Sequence, residues 1–333
     1  MLRIGLLGAS KIAVPAIIDV AAQMPDVTVT AVAARDPEAA RAYAKQHGIA
    51  HVARDYATLI ARDDVDLVYN GLPPSAHAPW SIAALQSDKA VLCEKPFCMN
   101  AEQAAEMVRV AELCGRPLIE AFHYRFHPVF EQALALLQGG AIGDVQRMQA
   151  HFNIGIRDVP GELRYAPELG GGALMDLGCY PLHWTRVVAG CEPEVQRASA
   201  KWHVTDVDTA MVASLQFPNG VHADIACDMS RDLPHVVDAA LVVFGSSGEL
   251  RLENPLAPHN GFSLTLRRGV DVQDIAVAGD RRSTYWCQLQ HVKAVLDGTQ
   301  RQYTGGADAI NTMRAIDAIY AQARDYRGAA PML

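Results

Sequence analysis

Arg3-Ile4-Gly5-Leu6-Leu7-Gly8-Ala9-Ser10-Lys11-Ile12-Ala13 is the stretch that decides the fold of this chain. Its first five residues read as a buried strand, and the pattern over 12–23 predicts a helix. The turn between them fills the dinucleotide fingerprint G-x-G-x-x-G/A, with Ser10 in place of the middle glycine. Gly8 permits a tight turn, and the small Ser10 and Ala13 allow close approach. Amide N–H groups at the helix start then face a pyrophosphate. A glycine-poor fingerprint is weak by itself; its place at the first strand-to-helix turn gives it weight.

Outward from this turn the pattern repeats. Strands are predicted over 27–33, 66–69, 89–93 and 117–120, and helices over 37–47, 55–61, 75–86 and 101–114. Strands alternating with helices imply a parallel sheet covered on both faces. After residue 121 the texture changes. Helices over 128–137 and 173–188 are joined by strand-like segments over 145–153, 195–203, 209–217, 221–228, 239–244, 249–252 and 262–267. Pro218-Asn219-Gly220 is a hairpin turn signal, and helices over 284–296 and 307–324 close the pattern. The fold class is α/β. Residues 1–121 form a Rossmann doubly wound domain, and 122–333 form an α+β domain with a large, mostly antiparallel open sheet.

Composition narrows the function. The 333 residues are 50% hydrophobic and 20% charged, which describes an ordinary soluble protein with room for two cores. A net charge of −8 argues against nucleic acid or an anionic membrane as partner. Seven cysteines without a C-x-x-C pair suit a reducing compartment, with Cys93 and Cys179 as small core residues. The twelve histidines form no metal-ligand spacing, so no metal is expected. With a strand from residue 2 and no apolar run of spanning length, a cytoplasmic location is expected.

The strand over 89–93 runs into Glu94-Lys95-Pro96. A lysine there lies at the carboxyl edge of a parallel sheet, where open α/β sheets bind ligands. Taken alone, the tripeptide reads rather as a surface Glu-Lys pair capping a strand. The second strand ends in Ala34-Arg35-Asp36, so the first polar group is cationic, which suits a 2′-phosphate and favours NADP over NAD. Otherwise Arg35 is solvated and Asp36 simply caps the next helix. Leu72, Pro73 and His77 follow the third strand in a loop that can hold backbone against a flat group. Gly170-Gly171-Gly172 suggests backbone pressed against a ligand or another domain. Asp176, Tyr180 and His183 would share one face of a continuous helix, with Pro181 a warning of a bend.

These residues together resemble the Gfo/Idh/MocA oxidoreductases. The resemblance rests on Gly8 to Ala13, Glu94-Lys95-Pro96, Glu120 to Pro128 (Glu-Ala-Phe-His-Tyr-Arg-Phe-His-Pro), Gly170 to Tyr180 and Gly305 to Ile310. The versions around Tyr124 and Asp176-x-x-x-Tyr180 look most like the D-xylose and dimeric dihydrodiol dehydrogenase branch. The resemblance implies hydride exchange between a nicotinamide and a carbinol or carbonyl carbon of a sugar or cyclic polyol, in a homodimer or homotetramer. It maps the family lysine to Lys95, the motif aspartate to Asp176 and the His-or-Tyr position to Tyr180. Gly8, Ala9, Ser10, Lys11, Ile12, Ala34, Arg35, Leu72, Pro73, His77, Glu94 and Lys95 are the candidates for binding cofactor. Departures are Tyr180 where histidine is commoner, His183 where many members carry an acid, and Ser10.

Either Tyr180 or Lys95 is the proton carrier on this reading. A free phenol titrates near ~10, and a neighbouring ammonium would lower it. Asp176 would orient substrate, with Arg125, Arg157, Arg164 and His183 as further substrate contacts. Two alternatives stand beside a dehydrogenase. One is a hydride-initiated elimination with tightly held cofactor, and the other a non-catalytic dinucleotide sensor.

Overall fold

The computed structural model describes residues 1–277 and 281–325. Residues 326–333, the end of the second predicted domain, lie outside the described residues. The chain divides into two compact units, residues 1–122 with 285–313, and residues 123–284 with 314 onward.

The first unit is built on six strands: β1 (Leu2–Leu7), β2 (Val27–Ala33), β3 (His51–Val52), β4 (Leu67–Asn70), β5 (Ala90–Cys93) and β6 (Leu118–Glu120). Their order is β3-β2-β1-β4-β5-β6 and every pairing is parallel. The winding direction reverses between β1 and β4, so the loops leaving these two strands border the crevice where such sheets take ligands. Ile4 and Leu6 of β1 are fully buried with Tyr69 and Leu92 in one apolar cluster. Leu289 and Val292 of the helix Thr284–Leu296 join the same cluster.

Local chemistry sets the helix bounds. Asp36 accepts a hydrogen bond from Glu38 N, Pro37 begins the helix Pro37–His47, and Gly48 closes it at φ 68°. Asn100 caps Ala101–Cys114 in the same way, and Gly115 ends it. The predicted 12–23 helix is shorter and irregular: a π turn, Val14–Ile18, runs into the α turn Asp19–Ala21. Pro15 near its start supplies no N–H to an α ladder there.

The second unit carries β7 (Val145–Asn153), β8 (Glu194–Trp202), β9 (Asp208–Gln216), β10 (His222–Asp228), β11 (Asp238–Gly245), β12 (Glu249–Glu253), β13 (Ser263–Arg268) and β14 (Asp271–Asp274). Their order is β14-β13-β12-β11-β7-β10-β9-β8. β7 and β10 pair in parallel; the other pairings are antiparallel. β14 was not expected, because all four of its residues are exposed and carry no apolar alternation.

The predicted 173–188 helix is two pieces, a π turn Leu174–Gly178 and an α-helix Cys179–Ala189. Restarting the α register at Cys179 places Pro181 in a first turn, where its missing N–H costs no helical bond. Asp176 therefore stands on the π turn and Tyr180 and His183 on the α-helix.

Candidate active site

In the first unit the chain leaves β1 at Gly8, whose φ of 92° is a conformation that side chains resist. Gly8 N donates to Ala33 O at 2.8 Å, tying the turn to the end of β2. A Cβ on Gly71, after β4, would meet Tyr69 Cε1 at 2.8 Å and Ser10 Oγ at 2.9 Å. The serine in the middle fingerprint position is thus packed against the loop that follows β4. Ser10 O also accepts from Tyr43 Oη at 2.9 Å. Among the described residues, the amides of Ser10, Lys11 and Ile12 donate to no protein acceptor. Ala9 to Ile12 are at least partly exposed, and Arg35 is exposed at the end of β2 beside Ala34. A tight glycine turn, unengaged amides and an exposed guanidinium fit a phosphorylated dinucleotide.

His77 is fully buried at the start of the helix Pro74–Gln86. Its Nε2 lies 2.7 Å from Leu72 O and its Nδ1 3.0 Å from Pro96 O. The imidazole clasps the loop at Leu72 and Pro73 to the segment after β5. Burial lowers its pKa to about 4 against the pull of those carbonyls, and the charge of Lys95 acts in the same direction. Glu94 is buried as well. Tyr69 Oη donates to its Oε1 at 2.7 Å, and Lys95 N donates to its Oε2 at 3.2 Å. The Lys95–Pro96 peptide is cis.

In the second unit Arg164 Nε donates to Asp176 Oδ2 at 2.5 Å, and Arg164 Nη1 donates to Glu162 Oε1 at 3.0 Å. The charge of Asp176 is the main cause that raises the Arg164 pKa above its ordinary value. Two residues read from sequence as separate substrate contacts are therefore each other's partners. Two of the three glycines between them stand against the chain's own atoms. A Cβ on Gly171 would lie 2.6 Å from Arg164 O, and Gly172, at φ 125°, faces Asp208 and Tyr320. The close approach expected at these glycines is made, at Gly171 and Gly172, by atoms of the same unit.

The phenol of Tyr180 lies 3.0 Å from His123 Nε2, and His123 Nδ1 lies 2.7 Å from Thr284 Oγ1. His183 Nδ1 lies 2.6 Å from Tyr124 Oη. All five side chains are buried. Of the other arginines, Arg157 is exposed and Arg125 half-buried, near enough to Glu131 to oppose the rise in its pKa caused by burial. Sequence reasoning used His123 only as part of the Glu120 to Pro128 motif. Its place one residue before Tyr124, just past the end of a parallel strand, was the available signal. Among the described residues no group of three His, Cys, Asp or Glu side chains is arranged for a metal ion, and no helix is long and apolar enough to cross a membrane.

A parallel sheet wound in this order, with a phosphate-ready turn at its switch point, defines a dinucleotide-binding enzyme class. Comparison with known proteins makes that specific. Residues 2–122 match the model of the oxidoreductase family with an NAD-binding Rossmann fold, and residues 130–251 match the GFO/IDH/MocA C-terminal domain. The chain belongs to the Gfo/Idh/MocA family and is an NAD(P)-dependent oxidoreductase. It is similar to dTDP-3,4-didehydro-2,6-dideoxy-alpha-D-glucose 3-reductase of Streptomyces violaceoruber, at 37% identity over 80% of this chain and 77% of that protein. D-xylose 1-dehydrogenase (NADP(+)) 2 of Haloferax volcanii is 30% identical over 96% of both chains, in keeping with the branch read from the motifs. Among solved structures, KijD10, a 3-ketoreductase from Actinomadura kijaniata in complex with NADP and TDP-benzene, superposes with a TM-score of 0.88. Its identity is 27%, over 96% of this chain and 97% of that one.

Proposed function

We propose that this oxidoreductase exchanges hydride with a carbinol or carbonyl carbon of a sugar or cyclic polyol, using NADP in preference to NAD. The observation that carries the reading is Tyr180, a buried phenol hydrogen-bonded to an imidazole four residues past a carboxylate held by a guanidinium. That arrangement can move a proton at the Tyr180 oxygen while Asp176 and Arg164 orient hydroxyl groups. Arg125, Arg157 and His183 complete the proposed substrate contacts, and Lys95 joins Tyr180 and Asp176 as a catalytic residue. The sugar and NADP names of the relatives support the substrate class and the cofactor.

Gly8, Ala9, Ser10, Lys11 and Ile12 would hold the pyrophosphate, Ala34 and Arg35 the adenosine end, and Leu72, Pro73, His77 and Glu94 the shape of the loops around it. When bound, the nicotinamide supplies the hydride acceptor or donor. The chain's own residues bind, orient and carry the proton. A homodimer or homotetramer is part of the same proposal, and light scattering checks it.

The test is to mix purified protein with NADP and a panel of aldoses and cyclic polyols and follow the absorbance of the reduced cofactor. Turnover on the panel that falls at least ~100-fold in Tyr180→Phe and in Lys95→Ala supports the assignment. Unchanged turnover in both variants sinks it. Cofactor that copurifies and recycles without net reduction would instead indicate a hydride-initiated elimination, and cofactor binding without any turnover a sensor.

A further inference from the structure

The hydrogen bonds around His123 determine which of its nitrogens carries a proton. Thr284 Oγ1 lies 3.1 Å from Leu256 O and 2.7 Å from His123 Nδ1. A carbonyl oxygen only accepts, so the single hydroxyl proton of Thr284 belongs on the line to Leu256. Were it turned toward His123, two oxygen lone pairs would face each other at 3.1 Å in a buried site. Thr284 Oγ1 therefore accepts from His123, and Nδ1 carries the ring proton. A neutral imidazole has one N–H, so Nε2 presents a lone pair. The group 3.0 Å from that lone pair is the Tyr180 hydroxyl, which donates to it.

We propose that His123 is the proton acceptor of Tyr180 in the reaction. The inference rests on the reading of Tyr180 as acid/base. Oxidation of a carbinol removes a hydride, taken up by the nicotinamide that the family activity supplies, and a proton. The substrate O–H bond breaks as its proton bonds to the Tyr180 oxygen. In the same event the original Tyr180 O–H bond breaks, and that proton bonds to Nε2. The phenol is neutral before and after, the imidazole becomes imidazolium, and one proton is stored for release with product. Reduction runs the same two transfers backwards.

Free phenol and imidazolium titrate near ~10 and ~6.5, so the transfer from Tyr180 to His123 is uphill by itself. It proceeds only as the substrate proton arrives. The imidazolium then donates from both nitrogens, Nδ1–H to Thr284 and Nε2–H to Tyr180, with no movement of the ring. His123 acts through Tyr180 and need not touch the substrate. Its ring also packs edge-on against Tyr180, with centroids 5.8 Å apart.

The first measurement needs no substrate. In the full-length protein labelled with 15N-histidine, with the His123 signals assigned through His123→Gln, the inference requires the Nδ1–H tautomer. A resting Nε2–H tautomer overturns it. The second measurement is steady-state kinetics of His123→Gln, His123→Phe and Thr284→Val. Glutamine keeps an acceptor for the Tyr180 hydroxyl and cannot hold a proton, so kcat should fall ~100-fold in Gln and Phe alike, with KM for NADP within about two-fold. Recovery of kcat in the Gln variant would mean that His123 only positions Tyr180, and would overturn the proposal. Thr284→Val guards against a misfolded His123 variant; it should lose the tautomer preference and about ten-fold in kcat. An unmodified protein inert toward every sugar and polyol tested overturns the functional reading instead.

Discussion

Arg164 and Asp176, twelve residues apart, meet at 2.5 Å, and the arginine also holds Glu162. The guanidinium is half-buried and the Asp176 side chain is 19% exposed, so this pair is screened less than a surface one. The planar guanidinium holds its donors in a rigid fork, here Nε toward Asp176 and Nη1 toward Glu162, which the flexible ammonium of a lysine lacks.

Arg164→Gln removes the charge that holds Asp176. We expect a loss of about 1–2 kcal/mol in unfolding free energy, at the lower end because Arg164 remains partly solvated. With sugar as varied substrate, kcat/KM should fall ~10-fold or more while KM for NADP stays put. Chemical denaturation and steady-state kinetics check this. Kinetics and a denaturation midpoint both matching the unmodified protein would dissociate the pair from function.

Asp208 offers a test that depends on pH. It is fully buried, accepting from Leu174 N at 2.7 Å and from Tyr320 Oη at 2.7 Å. Burial outweighs these donors and raises its pKa to about 6. A carboxyl whose folded pKa lies above the unfolded 3.8 stabilises the fold below that value and loses its contribution as pH rises toward 6. The rise from 3.8 to about 6 corresponds to about 3 kcal/mol. The stability advantage of the unmodified protein over Asp208→Asn should therefore shrink by that amount from pH 4 to pH 7. Calorimetry across the range reads it, and a constant difference refutes the buried carboxyl.

Gly172 stands against the same carboxylate. At φ 125°, an added Cβ would lie 2.3 Å from Asp208 Oδ1 and 2.8 Å from Tyr320 Oη. Strain and crowding together should cost Gly172→Ala at least ~2 kcal/mol. Gly161→Ala, at φ 87° with nothing within 4 Å of the added Cβ, separates the two effects, since it carries backbone strain alone. Equal melting temperatures for the two variants would remove the crowding argument.

These contacts show what the sequence could and could not reveal. The helix over 37–47 and the strand over 145–153 were legible because caps, glycine stops and apolar alternation are local. β3 has two exposed residues and β14 four, with no pattern to read, and both owe their existence to a neighbouring strand. Asp176 and Tyr180 were visible as a motif. Arg164 and His123 were named too, but not as their partners, because pairing is fixed by how loops close and not by spacing along the chain. Helical spacing also misplaced Asp176, since the π turn at Leu174–Gly178 breaks the register that a 3.6-residue period assumes.

The proposed preference for NADP rests on Arg35, exposed just after β2. Replacing it with alanine removes the cation proposed to face a 2′-phosphate and leaves the Asp36 cap on the following helix intact. KM for NADP should rise ~10-fold to ~100-fold with NAD nearly unaffected, corresponding to about 1.4–2.7 kcal/mol. Equal changes for both dinucleotides would show that Arg35 does not select between them.

His77 makes the opposite pH prediction to Asp208. Its pKa of about 4, depressed by burial from 6.5, means the neutral ring stabilises the fold above 6.5 and that this contribution is lost as pH falls toward 4. The fall from 6.5 to about 4 corresponds to about 3 kcal/mol. In the unmodified protein this rise with pH offsets the fall from Asp208 over the same window, so stability between pH 4 and 6.5 should be nearly flat in these two contributions. Single variants separate them: Asp208→Asn should leave a stability that climbs with pH, and His77→Gln one that declines. His77→Gln should also weaken NADP binding several-fold, because Leu72 and Pro96 lose the ring that clasps them. Denaturation curves at pH 4.5 and 6.5 suffice; if both variants keep the pH profile of the unmodified protein, neither buried group titrates as described.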